Sequence, residues 1–179
     1  MLFSRLIVAA ISVVCVAATP LMNTVPPRVG VVVPRGDDIS PLVQATVQMR
    51  ELKNTVPDIM AGPAEQREAK LLELTYKAKD IVTQCNTNMG QQTGLLSLIG
   101  LSLTSQYTKF SQVTVRTLRV CKAYRNSEMA DNLGTIFDSM EAIQGKTLGL
   151  IKSKVSSDVT DGMSALTGKL SWIQASVGA

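Results

Sequence analysis

From Ser40 to Val177, apolar residues recur every three or four positions, and no other feature of the sequence constrains the fold as strongly. Such spacing places the apolar side chains on one face of an α-helix, whereas a half-buried strand would show strict alternation. All prolines lie at or before Pro63. The pattern therefore predicts a chain that is helical over most of its length.

A first helix is expected to begin at Pro41 and to end at Val56. Ser40 supplies a hydroxyl at the N-cap position, and Pro41 falls at the first helical position, where a missing N–H costs nothing. Pro57 disfavours the helical conformation of the residue before it. The first helix should therefore stop at Val56.

Start signals mark three later helices. The Gly62-Pro63 pair begins the second helix, whose apolar face reaches Cys85, and a loop is expected over residues 86–93. Asn126 and Ser156 precede the last two helices and are side chains typical of N-caps.

Residues 93–124 are open to two interpretations. The run from Val113 to Thr117 has high β-propensity, which favours a strand. The spacing from Ile99 to Cys121 is helical and no turn signal interrupts it, which favours a helix. We favour the helix.

The N-terminus has the organisation of a secretory signal peptide. Arg5 precedes an apolar run that is well short of the ~20 residues needed to cross a bilayer, and small residues follow. We place the cut after Ala18, with a cut after Ala17 as the alternative. The mature chain is then secreted, extracellular or cell-wall associated, with no transmembrane segment. Residues 19–38 are interpreted as an extended arm, a linker or a short propeptide.

Cys85 and Cys121 remain once Cys15 is removed with the signal peptide. An even pair in an oxidising compartment predicts a disulfide, and two free buried thiols are the alternative. A straight helix over residues 93–124 would separate the pair by roughly 40 Å, whereas a disulfide needs Cα atoms about 5.5 Å apart. We therefore expect the chain to fold back between Gly100 and Ser105 and to return alongside the second helix.

These elements predict an all-α fold. Residues 39–179 should form one antiparallel bundle of four to six amphipathic helices with short links and one disulfide.

Catalysis and metal binding are not expected. The sequence contains no histidine, which removes the commonest general base and the commonest metal ligand. Asp37 and Asp38 lie in the arm, and Asp138 and Glu141 share a helix surface rather than facing each other across a cleft. No phosphate loop or dinucleotide fingerprint occurs, so no cofactor is expected.

Basic residues form the sharpest charge pattern, and they are expected on one helix: Lys109, Arg116, Arg119, Lys122 and Arg125. A binding interpretation directs this stripe to lipid headgroups, acidic polysaccharide or nucleic acid. A solvated helix face is the alternative. The nearby aromatic residues fit the apolar face better than a base-stacking platform, so nucleic acid is not expected.

Methionine is frequent at the expected core positions: Met49, Met60, Met129, Met140 and Met163. Methionine fills irregular space and adapts to varied apolar partners. A core of this kind is able to hold an acyl chain. An ordinary bundle core is the alternative.

The layout of the chain carries a resemblance. The segment from Asp38 to Leu42 leads into helices over Ser40 to Val177, among them LGTIFDSMEAI at residues 133–143. In this the chain resembles the hydrophobic-surface-binding and cell-wall mannoprotein family of fungi. The resemblance implies a secreted helical bundle that holds lipid between its helices or adsorbs to hydrophobic surfaces. The cysteine pair departs from that family and suits small secreted effector-like proteins.

Our first hypothesis is therefore a non-enzymatic secreted protein that binds lipid or a hydrophobic surface between or along its helices. The residues predicted to line this site are Leu96, Ile99, Leu103, Phe110, Leu133, Phe137, Met140, Leu166 and Leu170. The second hypothesis is a protein–protein interaction module that acts on a host or neighbouring cell through the basic stripe. A structural wall component is a third.

Overall fold

The computed structural model describes residues 40–92, 102–151 and 156–178. Within these ranges the chain forms five α-helices and one short 3-10 helix. The helices are α1 Pro41–Ala61, α2 Ala64–Gln91, α3 Ser102–Leu118, the 3-10 helix Arg119–Ala123, α4 Ser127–Leu150 and α5 Ser157–Gly178. No strand occurs in these three ranges, so the predicted all-α class is confirmed there and the strand interpretation of Val113 to Thr117 is wrong. The signal peptide and arm predicted for residues 1–38 lie outside the described residues.

α1 begins at Pro41 as predicted, but the expected end at Val56 is wrong. The helix continues through Pro57 to Ala61. Ile59 and Met60 pack against the core in that last turn, which offsets the backbone hydrogen bond that proline cannot donate.

α2 also runs beyond its predicted end and includes most of the expected loop over residues 86–93. Met89 is buried one turn after Cys85 and continues the apolar face. The Lys146 ammonium donates to the Asn86 backbone oxygen at 2.7 Å and to its side-chain oxygen at 2.6 Å. These contacts stabilise the last turns of α2 against α4.

The start of α4 follows the predicted capping chemistry. The Asn126 side-chain oxygen accepts a hydrogen bond of 2.9 Å from the backbone N–H of Met129. The backbone N–H of Asn126 also donates to the carbonyl of Val177, at 3.3 Å. The beginning of α4 is therefore fixed to the end of α5, and these two helices are antiparallel.

The helices pack as a closed ring in the order α1, α2, α4, α5, α3 and back to α1. α2 and α4 are parallel neighbours, because Lys79 hydrogen-bonds Asn132 near the start of α4 and Asn86 hydrogen-bonds Lys146 near its end. α1, α3 and α5 run in the opposite direction. No described helix is both long enough and apolar enough to span a membrane, in agreement with the expectation for this part of the chain.

α3 packs against three other helices, α1, α4 and α5. Its apolar side chains Leu103, Tyr107, Phe110 and Leu118 have no accessible surface. The Tyr107 hydroxyl lies 2.8 Å from the hydroxyl of Thr167 on α5, which donates to Gln144 on α4 at 2.8 Å. Burial raises the pKa of the Tyr107 hydroxyl, which stays neutral and fixes three helices together.

The predicted disulfide is not formed, and Cys85 and Cys121 are free, buried thiols. Cys85 lies beside Lys146, near the end of α4, and the early part of α3 lies at that same end because Tyr107 contacts Gln144. The 17 residues of α3 then rise roughly 25 Å before Cys121 is reached. α3 also packs beside α1 rather than returning along α2, so the expected fold-back does not bring the thiols together.

Both thiols should be unreactive in the native protein. Burial raises the pKa of Cys85 and of Cys121 to about 12, and the reactive form is the thiolate. We expect no reaction with dithionitrobenzoate near neutral pH, and reaction of both cysteines after denaturation. The denatured mass should not change on reduction, and a gain of two hydrogens would contradict the free thiols.

Candidate functional site

The residues predicted to line a ligand site do not converge on one cavity. Five of them are at most 1% exposed and belong to the core: Leu103, Phe110, Leu133, Met140 and Leu170. Phe137 and Leu166 are half-buried and line two different surface grooves. Leu96 and Ile99 lie outside the described residues.

The fully exposed residues of α3 lie on one narrow strip that continues into the 3-10 helix. The exposed residues of this strip follow each other at alternating spacings of four and three: Ser105, Lys109, Gln112, Arg116 and Arg119. Because the rest of α3 is packed against its neighbours, every cation between Ser105 and Arg119 must lie on this strip. The helical spacing of α3 thus collects its positive charge on one side of the bundle.

The predicted basic stripe does not lie on a single α-helix. α3 ends at Leu118, and Arg119 and Lys122 lie in the 3-10 helix that follows it. Side chains three residues apart eclipse each other in a 3-10 helix. Arg119 and Lys122 therefore remain on one side of the chain, and Arg125 follows beyond this helix.

A groove of about 470 Å³ lies between this strip and α5. We name it the α3–α5 groove, and its residues are Gln112, Val115, Arg116, Arg119, Leu166, Lys169, Trp172 and Ile173. Its volume falls in the ~300–1,000 Å³ range of small-molecule sites. Val115, Leu166 and Ile173 are its buried or half-buried members, so the floor is apolar and the charges surround it.

Trp172 is the most solvent-exposed of the large apolar side chains in the described residues, with 56% of its surface accessible. It is the only tryptophan of the chain. The ammonium of Lys122 lies 5.2 Å from the centroid of its ring, within the range of a cation–π contact. Trp172 therefore adds an aromatic wall to the groove and holds another cation beside it.

A second depression of about 280 Å³ adjoins the first, on the other side of α3. Arg50 and Lys53 of α1 line it together with Lys109, and it shares Gln112 and Arg116 with the α3–α5 groove. The cations around both depressions form a surface that we name the basic face: Arg50, Lys53, Lys109, Arg116, Arg119, Lys122 and Lys169.

Within the part of the chain that the structure describes, no carboxylate forms an ion pair with the basic face. None of the described residues that line the two depressions is acidic. The ion pair found among the described residues is that of Lys77 with Glu73, on α2. The sequence also contains no carboxylate between Asp80 and Glu128. The positive potential of this face is therefore available to a ligand.

The groove between α4 and α5 is chemically different. It has a volume of about 350 Å³ and is lined by Phe137, Leu148 and the single charged residue Glu141. Gly145 and Gly168 also line it, so the depression exists where side chains are missing. It holds one predicted ligand residue but no cation.

Sequence reasoning missed Trp172, Lys169, Arg50 and Lys53. Trp172 and Lys169 are three residues apart and lie off the buried face of α5. The position of Trp172 outside the apolar face of its helix was the one feature of the sequence that could have indicated a surface site. Nothing in the sequence showed that α1 and α5 flank α3, because this depends on the order of helices in the ring.

The core positions and the groove positions should respond differently to truncation. Phe110→Ala should lower the free energy of unfolding by about 3–5 kcal/mol, because it leaves a cavity in a closed core. Val115→Ala, at the half-buried groove floor, should cost about 1 kcal/mol. Urea unfolding of both variants measures the difference. Similar small losses would contradict the closed core and would show that Phe110 lines accessible space.

Comparison with models of protein families, with curated proteins and with solved structures gives no match for this chain. The resemblance to the fungal hydrophobic-surface-binding and cell-wall mannoprotein family therefore stays a prediction, and the function has to be inferred from the site itself.

Proposed function

We propose that this chain is a secreted, non-enzymatic binding protein that holds an anionic amphiphile, such as a fatty acid, in the α3–α5 groove. The observation that carries the proposal is the pairing of an apolar floor with an uncompensated cationic rim. A purely apolar ligand would not use the rim, and a small inorganic anion would not use the floor.

Each part of such a ligand has a counterpart in the groove. The hydrocarbon chain would lie on Val115 and Leu166 and against the ring of Trp172, removing apolar surface from water. The carboxylate would lie near the guanidinium groups of Arg116 and Arg119. Planar guanidinium groups can donate two parallel hydrogen bonds to a carboxylate, which fixes its orientation as well as its position.

The proposal moves the lipid site from the bundle interior to the bundle surface. The interior side chains predicted to line it, such as Phe110 and Met140, have no accessible surface. An acyl chain between the helices would have to displace them, whereas the α3–α5 groove is open to solvent as it stands. Leu166 is the residue common to the predicted site and the proposed one.

Laurate should bind saturably and shift the emission of Trp172 to shorter wavelength, because the ligand removes water from the indole. No other tryptophan contributes to the signal. The double variant R116Q/R119Q should weaken binding by about tenfold, since it removes charge-assisted hydrogen bonds at an exposed site.

The matched control is K70Q/K77Q, which removes two positive charges from exposed positions of α2. It should bind laurate like the unmodified protein. Dodecanol, which has the same chain without the carboxylate, should bind both double variants alike. Equal laurate affinity for R116Q/R119Q and for K70Q/K77Q would contradict the proposed site.

A further inference from the structure

The basic face extends well beyond the α3–α5 groove. α1, α3 and α5 are neighbours in the ring, with α3 in the middle. Lys109 to Lys122 cover roughly 20 Å along the helix axis, and neighbouring helix axes are roughly 8–10 Å apart. Arg50, Lys53 and Lys109 take no part in the groove. The proposed ligand gives these three charges no role.

The cations of this face are placed to act together. All are exposed, and the two depressions between them share Arg116. The Debye length at physiological salt is about 8 Å, which is close to the spacing of neighbouring helices. Charges on neighbouring helices therefore add to one attraction for an anionic surface that approaches this face.

Apolar side chains are exposed on the same side of the bundle. On α1, Val43 is 39% exposed and Val47 is 50% exposed. Arg50 and Asn54 follow them at the three- and four-residue spacing that keeps side chains on one face of a helix. Arg50 and Asn54 line the depression beside α3, so all four share one edge of α1. Trp172 is exposed on the α5 side. Tryptophan favours the headgroup level of a bilayer, where its ring is partly buried and its N–H is hydrated.

We propose that the face formed by α1, α3 and α5 docks on an anionic lipid bilayer, with its cations against the headgroups and Trp172 at headgroup depth. Soluble polyanions would satisfy the charges but would leave Trp172 and the exposed valines in water. Docking of this kind places the α3–α5 groove against the membrane. The proposal goes beyond the proposed function and does not depend on it, because docking requires no ligand in the groove and also uses Arg50, Lys53 and Lys109, which lie outside it.

The test is sedimentation with vesicles of equal parts phosphatidylcholine and phosphatidylglycerol. The protein should bind them, and should not bind vesicles of phosphatidylcholine alone. Each cation near an anionic surface contributes a factor of about five to binding. The double variant K53Q/K109Q should therefore bind roughly 25-fold more weakly, while the equally charged control K70Q/K77Q should stay within a factor of about two.

The two proposals fail separately in this experiment. K53Q/K109Q should still bind laurate with unchanged affinity, since neither side chain lines the groove. Unchanged vesicle binding by K53Q/K109Q would overturn bilayer docking and leave the laurate site standing. Vesicle binding without any laurate binding would overturn the proposed function alone.

Dextran sulfate separates a bilayer from a soluble polyanion. Anionic vesicles should shift the Trp172 emission to shorter wavelength, and dextran sulfate should leave it unchanged. Binding of dextran sulfate with no binding to the anionic vesicles would overturn the proposal and would identify the face as a polyanion site.

Discussion

The burial of α3 against three other helices is the constraint on which the rest of the molecule depends. Its apolar side chains fill the space between α1, α4 and α5, and the Tyr107 hydroxyl is held by polar groups of α4 and α5. From Ser105 onward its fully exposed residues lie on one strip, which Arg119 of the 3-10 helix continues. The charged side chains of α3 therefore all lie on this strip. The order of the helices in the ring decides that α1 and α5 lie beside it.

Charge and hydrophobicity meet on this side of the bundle for the same reason. α1 and α5 flank α3, and each presents its own exposed residues next to the strip. Arg50 and Lys53 enlarge the positive surface on one side, and Lys169 and Trp172 form the groove on the other. Because no acidic residue lines either depression among the described residues, the positive charges are not neutralised within the fold. An apolar floor surrounded by free cations is a suitable site for an anionic amphiphile.

The sequence was sufficient for those parts of the fold that depend on local chemistry. Pro41 and Asn126 mark helix starts because N-terminal signals act within one turn. The apolar spacing also identified most core positions. The helix end predicted at Val56 is wrong, because the packing of Ile59 and Met60 against the core outweighs the local effect of Pro57 on the helix. The disulfide was misread because the ring order carries Cys121 away from Cys85, and no pairwise spacing in the sequence reports that order.

For the candidate site, the sequence likewise predicted the features that belong to one segment but not those that depend on how the helices pack. Arg116 and Arg119 were identified from their spacing, which is a property of one segment. The predicted lining residues had the right chemistry, but apolar periodicity marks core and ligand floor alike. Leu133 and Leu166 both follow the apolar spacing of their helices, yet Leu133 is buried in the core and Leu166 lines the groove. Trp172 became part of the site only because α5 packs beside α3.

The most direct test of the central claim is a map of backbone and indole N–H shifts by two-dimensional ¹H–¹⁵N NMR during titration with laurate. The account predicts that the largest shifts occur at Val115, Arg116, Leu166 and the Trp172 indole, with the core amides of α4 little changed. Largest shifts around Leu133 and Met140, or around Phe137 and Leu148, would place the ligand elsewhere and contradict it.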